Sequence, residues 1–195
     1  MAKGWKKVLC FGDSNTYGYD PRSYFGSQYK ADDRWVDLLG RKLGCRIVNA
    51  GENGREIPWK QWELDRFHLM MSNQHVDLLV ILLGANDLLQ GNSAEDVCHR
   101  MEHFLKQIPL KTEQILLIGL PVFQPGVWVE DTAIIDRSIQ LADHYKALSE
   151  RMGVNFVSTA DWEIPMAFDG VHFTEEGHRV FAARLFHALQ SLVSH

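Results

Sequence analysis

The sequence has no long hydrophobic run. Its first apolar stretch, Val8-Leu9-Cys10-Phe11, is short and follows Lys6 and Lys7. That is too short for the core of a signal peptide and far too short to span a bilayer. Basic runs are missing as well: Lys and Arg are scattered, and the net charge is -5. This argues against nucleic acid or an anionic membrane surface as a partner. Cysteine is scarce. The three present, Cys10, Cys45 and Cys98, cannot all pair within one chain, and Cys10 and Cys45 fall in or beside expected strands as small core residues. A reducing, cytoplasmic location is the expectation. The chain also lacks a linker and an internal repeat. Its 195 residues, 46% hydrophobic and 23% charged, suit one domain over residues 1–195 with a sizeable core.

Five short apolar runs alternate with helical patterns. The runs are residues 8–11, 46–50, 77–83, 114–119 and 155–159. Leu78-Leu79-Val80-Ile81-Leu82-Leu83 is apolar without alternation, which is typical of a parallel strand covered on both faces. The first expected helix, residues 32–43, carries Trp35, Leu38, Leu39 and Leu43 at helical spacing, with Gly44 as its stop. A second, residues 59–71, is expected to turn Trp62, Phe67 and Met70 or Met71 inward. Ser93 caps a third, residues 94–107. The longest, residues 132–152, is expected to bury Ile135, Ile139, Ala142 and Leu148. Thr174, with Glu175 and Glu176 after it, opens the last helix, whose inner face is Phe181, Leu185, Leu189 and Leu192. The alternation predicts a three-layer α/β/α domain with a five-stranded parallel sheet. Right-handed crossovers then bring all five strand ends to one edge.

That edge gathers polar loops. Gly12-Asp13-Ser14-Asn15 follows the first strand, Gly51-Glu52-Asn53-Gly54 the second, Gly84-Ala85-Asn86-Asp87 the third, and Asp169-Gly170-Val171-His172 precedes the last helix. Acyl transfer needs a nucleophile, a base, an orienting group and donors for an oxyanion. Ser14 can be the nucleophile and His172 its base. Asp169, three residues earlier, can hold one ring nitrogen in its N–H form. The N–H groups of Ser14 and Gly54 and the side-chain amide of Asn86 can serve an oxyanion. Each loop alone is also a good turn or cap sequence. The ordered set of four carries the argument.

These four blocks resemble the GDSL, or SGNH, hydrolases in order and spacing, from Val8 to the final helix. The resemblance implies a flavodoxin-like fold with Ser14 as nucleophile, His172 as base and Asp169 as its partner. It also implies an oxyanion hole of Ser14, Gly54 and Asn86. Asn15 stands where the family name has leucine. Cys10-Phe11-Gly12-Asp13-Ser14 followed by Tyr17-Gly18-Tyr19-Asp20-Pro21 is most similar to the short-chain arylesterases and acetylesterases, several of which form homo-oligomers. A homo-oligomer is therefore an option here.

The expected activity is a serine esterase on small carboxylic esters, acetyl or aryl, through an acyl-enzyme and with neither cofactor nor metal. A thioesterase or a carbohydrate deacetylase would use the same triad. A small-molecule binding module and a metal-dependent phosphoesterase are the readings from other classes. The binding module requires Ser14, Asp169 and His172 to lie too far apart to hydrogen-bond. Tyr17, Phe123, Trp128, Trp162 and Ile164 are candidate pocket residues. The loop at residues 121–131 can be a lid, a pocket wall or an oligomer contact. Cys98, His99 and His103 lack a further ligand and read as a helix face rather than a metal site. His68, His178 and His195 show no partner in the sequence.

Overall fold

The structure is a computed structural model that describes residues 4–193 apart from residues 24 and 73; His195 lies outside them. Strand β1 (Lys7–Gly12) leads into a four-residue helix, α1 (Ser14–Tyr17). Then come α2 (Trp35–Leu43), β2 (Arg46–Gly51), α3 (Gln61–Ser72), β3 (Leu78–Leu82) and the short α4 (Ala85–Leu89). The chain continues through α5 (Ala94–Lys106), β4 (Ile115–Ile118), α6 (Thr132–Met152), β5 (Asn155–Val157) and α7 (Glu175–Val193). The sheet order is β2-β1-β3-β4-β5, all parallel. This is the flavodoxin-like order, with its switch point between β1 and β3.

The strands alternate their side chains between two cores. Leu9, Phe11, Leu79, Ile81 and Leu117 pack toward α3, α5 and α6, whereas Val8, Cys10, Val80, Leu82 and Leu116 pack toward α2 and α7. The central strands are buried on both faces, so their sequences are apolar throughout. Ser93 caps α5 by accepting from the Asp96 N–H, and Thr174 Oγ1 accepts from the Gly177 N–H in the first turn of α7.

Two helices present a different face from the one expected. In α3 the buried residues are Leu64, Phe67 and Met71. Trp62 lies on nearly the opposite side of a 3.6-residue period and is 60% exposed. In α6 the inner face is Ile134, Ser138, Leu141, Tyr145 and Leu148, and Ile139 is 44% exposed. A reading by hydropathy skips Ser138 and Tyr145, yet their hydroxyls have work in the core. Ser138 Oγ accepts from the Phe123 N–H at 3.1 Å, and the Tyr145 hydroxyl donates to Leu83 O at 3.1 Å. The helix thereby anchors the chain at the exits of β3 and β4, where buried backbone groups need partners. Two histidines also have partners that the sequence did not suggest. His68 Nε2 meets Gln107 O at 2.7 Å, and His178 Nδ1 accepts from the Trp35 N–H at 3.4 Å.

Candidate active site

Ser14 is the first residue of α1, directly after the carboxyl end of β1. Asp13 caps the helix by accepting from the Asn15 N–H at 2.9 Å. Burial pushes the Asp13 carboxyl up to about 6, against the Asn15 amide and the nearby His172 and Arg55, which pull it down. Asp13 is thus a brace within the loop and makes no direct hydrogen bond to the imidazole among the described residues.

The imidazole comes from the far end of the chain. Residues 165–174 fold back on themselves, with the Ala167 N–H donating to His172 O and the Thr174 N–H to Pro165 O. Within this turn Asp169 Oδ1 accepts from the Val171 and His172 N–H groups, both at 2.9 Å. Its Oδ2 lies 2.8 Å from His172 Nδ1, and His172 Nε2 lies 2.9 Å from Ser14 Oγ. Burial raises the Asp169 pKa, but the His172 ring and the two amides outweigh it and hold the carboxyl below its ordinary value. An ionised Asp169 keeps the proton on Nδ1 and leaves Nε2 to accept from Ser14. Ser14 and His172 are 7% and 2% exposed.

The candidate oxyanion donors sit across the switch point. Gly54 has φ +73° with nothing near its Cα that a side chain would strike, so backbone conformation alone requires glycine there. Arg55 fixes this loop by donating to Gly12 O at 2.8 Å and to Ala50 O, with its guanidinium 4.2 Å from the Phe11 ring. Asn86 Nδ2 donates to Arg55 O at 2.9 Å; one of its two N–H groups is so used, and the second is left. Asp87, fully buried, accepts from the Ile57 N–H and from Arg100, both at 3.0 Å. Burial raises its carboxyl to about 6 against those bonds. Among the described residues, neither the Ser14 nor the Gly54 N–H donates to a protein acceptor.

Of the candidate pocket residues, Trp128 is at the site: it is 52% exposed and its ring packs edge-on to His172 at 5.0 Å. Phe123, Trp162 and Ile164 are core residues instead. Phe123 packs with the α6 side, while Trp162 and Ile164 pack with the α7 side, Trp162 against Phe181 at 5.3 Å. Nor is Tyr17 the tyrosine beside the imidazole. It ends α1, and its carbonyl accepts from Gln28 and Asn49. Tyr19, which the sequence reading passed over, holds that place, 4.8 Å from the His172 ring. The signal was Gly18, whose φ of +88° ends α1 and redirects the chain just before Tyr19.

The loop at residues 121–131 is pinned rather than free to open. Gln124, Val127 and Trp128 donate their N–H groups to Gly170 O, Phe168 O and Asp169 O at 2.9–3.2 Å. A Cβ on Gly126 would stand 2.4 Å from the Asp169 carbonyl carbon, so only glycine permits this approach. These contacts hold the loop against residues 168–170.

The GDSL-like lipase/acylhydrolase family model matches residues 10–180. The chain belongs to this family. It is accordingly a carboxylic ester hydrolase. Solved structures similar to it include the aryl esterase of M. smegmatis, with TM-score 0.81 at 23% identity over 96% of this chain and 99% of that one. A carbohydrate acetylesterase family member from Sinorhizobium meliloti has TM-score 0.81 at 23% identity, covering 97% and 100% of the two chains. The lipase/acylhydrolase from Enterococcus faecalis has TM-score 0.74 at 21% identity, covering 95% and 96%. These likenesses establish the SGNH hydrolase fold. Comparison with curated proteins gives no match. No helix among the described residues is long and apolar enough to cross a membrane.

Proposed function

We propose that the protein is a serine esterase of small carboxylic esters, acetyl or aryl, working through an acyl-enzyme on Ser14. The observation that carries this is the unbroken relay from Ser14 Oγ through His172 to Asp169, at 2.9 and 2.8 Å. The separation required of a mere binding module is not what the relay has. Ser14 Oγ attacks the ester carbonyl carbon while its proton passes to His172 Nε2. Oxyanion charge is met by the Ser14 and Gly54 N–H groups and the remaining N–H of Asn86. The C–O bond to the alcohol then breaks, and the imidazolium protonates that alcohol. Water repeats the steps: His172 takes its proton, and Ser14 leaves as the acid is released. No step needs a metal or cofactor.

Tyr19 and Trp128 flank the imidazole, and Val127 and Phe168 are exposed beside Trp128 on the same stapled loops. This apolar rim favours an aryl group on the ester. Trp128→Ala is expected to lower kcat/KM for phenyl acetate about 2- to 10-fold, the worth of one aromatic contact. Methyl acetate should change less. Steady-state kinetics on the two esters read the difference. Asn86→Ala is expected to lower kcat by about 10²- to 10³-fold with little change in KM, as loss of one oxyanion donor does.

One observation favours carbohydrate deacetylation as a second reading. A cavity of about 380 Å³ adjoins Gly54, lined by Glu52, Arg66 and the exposed Trp62 among others. Carboxylate, guanidinium and an aromatic face suit a sugar alcohol. A panel of p-nitrophenyl, phenyl and sugar acetates, with acyl thioesters added, separates these leaving groups. Phosphorylation of Ser14 by diethyl p-nitrophenyl phosphate, with activity insensitive to chelator, is the result expected. Activity that chelator abolishes, with no labelling, would overturn the acyl-enzyme on Ser14 in favour of a metal-dependent hydrolysis. The three thiols are unpaired, which supports a reducing, cytoplasmic setting. One domain over residues 1–195 and a homo-oligomer are also part of the proposal. Light scattering tests the latter.

A further inference from the structure

The residue after the nucleophile joins the two halves of the site. Asn15 is buried on α1, and each of its polar atoms has a partner. Its N–H donates to Asp13, and its carbonyl accepts from the Trp35 indole at 2.8 Å. Its side chain crosses to the other end of the chain. Asn15 Nδ2 donates to Val171 O at 3.0 Å, and Asn15 Oδ1 accepts from the Phe173 N–H at 2.9 Å. Residues 171 and 173 are the two neighbours of His172. One planar amide thus grips the backbone on both sides of the base, much as an adjacent strand would, and limits how the His172 backbone can rotate. Leucine, the residue of the family name at this position, has no atom that could make either bond.

Only two direct side-chain links tie α1 to this turn, among the described residues: the Asn15 grip and the Ser14–His172 bond. The second is spent during turnover. Once Ser14 Oγ carries the acyl group it has no proton, and it cannot donate to His172 Nε2. The Asn15 bonds involve no reacting atom and persist through the acyl-enzyme.

We infer that Asn15 is a positioning residue for the esterase reaction: its side-chain amide keeps His172 in register with the acylated Ser14, so that the base can activate the deacylating water. The inference rests on the Ser14–His172 mechanism proposed above. Its effect falls on deacylation more than on acylation, since in the free enzyme the Ser14–His172 bond helps to hold the ring.

The test is pre-steady-state hydrolysis of p-nitrophenyl acetate by Asn15→Leu. That side chain has the same number and branching of heavy atoms as asparagine but leaves Val171 O and the Phe173 N–H unpaired. Rates are expressed per active site titrated with diethyl p-nitrophenyl phosphate, so loss of folded protein does not enter. A burst within about threefold of wild type, followed by deacylation at least tenfold slower, is expected. A purely structural role would lower the number of titratable sites and leave the rate per site unchanged; that result overturns the inference. Should Asn15→Leu fail to fold, Asn15→Ala is read the same way, with a smaller slowing because water can reach the two backbone groups. Wild-type protein that neither bursts nor takes up phosphate at Ser14 would instead overturn the mechanism itself.

Discussion

Ser14→Ala is expected to lower kcat for p-nitrophenyl acetate by about 10⁴-fold or more while leaving the fold in place. The alcohol oxygen is the atom that bonds to the acyl carbon, and no other hydroxyl is hydrogen-bonded to the His172 ring among the described residues. Nucleophile, base and orienting carboxylate act as one unit, so removing the first costs nearly as much as removing all. The residual rate is what oxyanion donors and binding achieve with water alone. Stability should move little. Alanine suits the first turn of α1, and the lost partner is one neutral hydrogen bond, about 1 kcal/mol. Steady-state kinetics with thermal unfolding on the same preparation check both halves. Asp169→Asn is the companion: the amide could donate to Nδ1, favour the wrong tautomer, and cost a similar factor. A Ser14→Ala protein that turns over near the wild-type rate would remove the nucleophile and the acyl-enzyme with it.

The sheet was legible because five buried strands must be apolar, and three of the polar loops after them stand out by contrast. Ser14 and Asn86 lie in the first turns of the short helices α1 and α4 and Gly54 lies in a turn, each just past the carboxyl end of a strand, where the topology fixes the edge they share. His172 and Asp169 were legible as a pair because a three-residue spacing closes one turn. Pocket walls were not. Phe123, Trp128, Trp162 and Ile164 are all large and apolar near the same edge, and hydropathy does not separate a rim residue from a core one. Phe123, Trp162 and Ile164 are buried in the two cores, whereas Trp128 is half exposed, and only the folded chain separates them. Tyr17 and Tyr19 differ in the same way, through the turn at Gly18. The inner face of α6 was misread because Ser138 and Tyr145 are counted as polar, although both are buried with their hydroxyls bonded to backbone. Asn15 was visible only as a departure from the family motif. Its grip on residues 171 and 173 needs two segments more than 150 positions apart, and no local pattern records it.

His178 governs the second large effect, on stability in acid. It lies fully buried among Tyr29, Trp35 and Phe173, and its Nδ1 accepts from the Trp35 N–H at the start of α2. No side chain at Arg34 caps that helix, so the imidazole supplies an acceptor that the helix end lacks. Protonation would put an N–H against the Trp35 N–H and a positive charge at a helix N-terminus. Burial, helped by the nearby His172 and Arg34, depresses its pKa from 6.5 to about 3. Below pH 6.5 the unfolded chain takes up a proton that the native chain refuses. Stability from this group is therefore full above pH 6.5 and drains as pH falls toward 3, by on the order of 3 kcal/mol at pH 4. Asp13 and Asp87 work the other way. Their native pKa values near 6 exceed the unfolded 3.8, so their contribution is present below pH 4 and is lost as pH rises through 6. Those terms are common to wild type and a His178 variant and cancel between them. His178→Gln can still accept from the Trp35 N–H but does not titrate over this range. Urea unfolding at pH 7 and pH 4 should show the wild type losing on the order of 3 kcal/mol more than His178→Gln over that interval. Equal losses in the two proteins would mean that the imidazole is protonated in the native state, and that α2 is held at its start by something other than this ring.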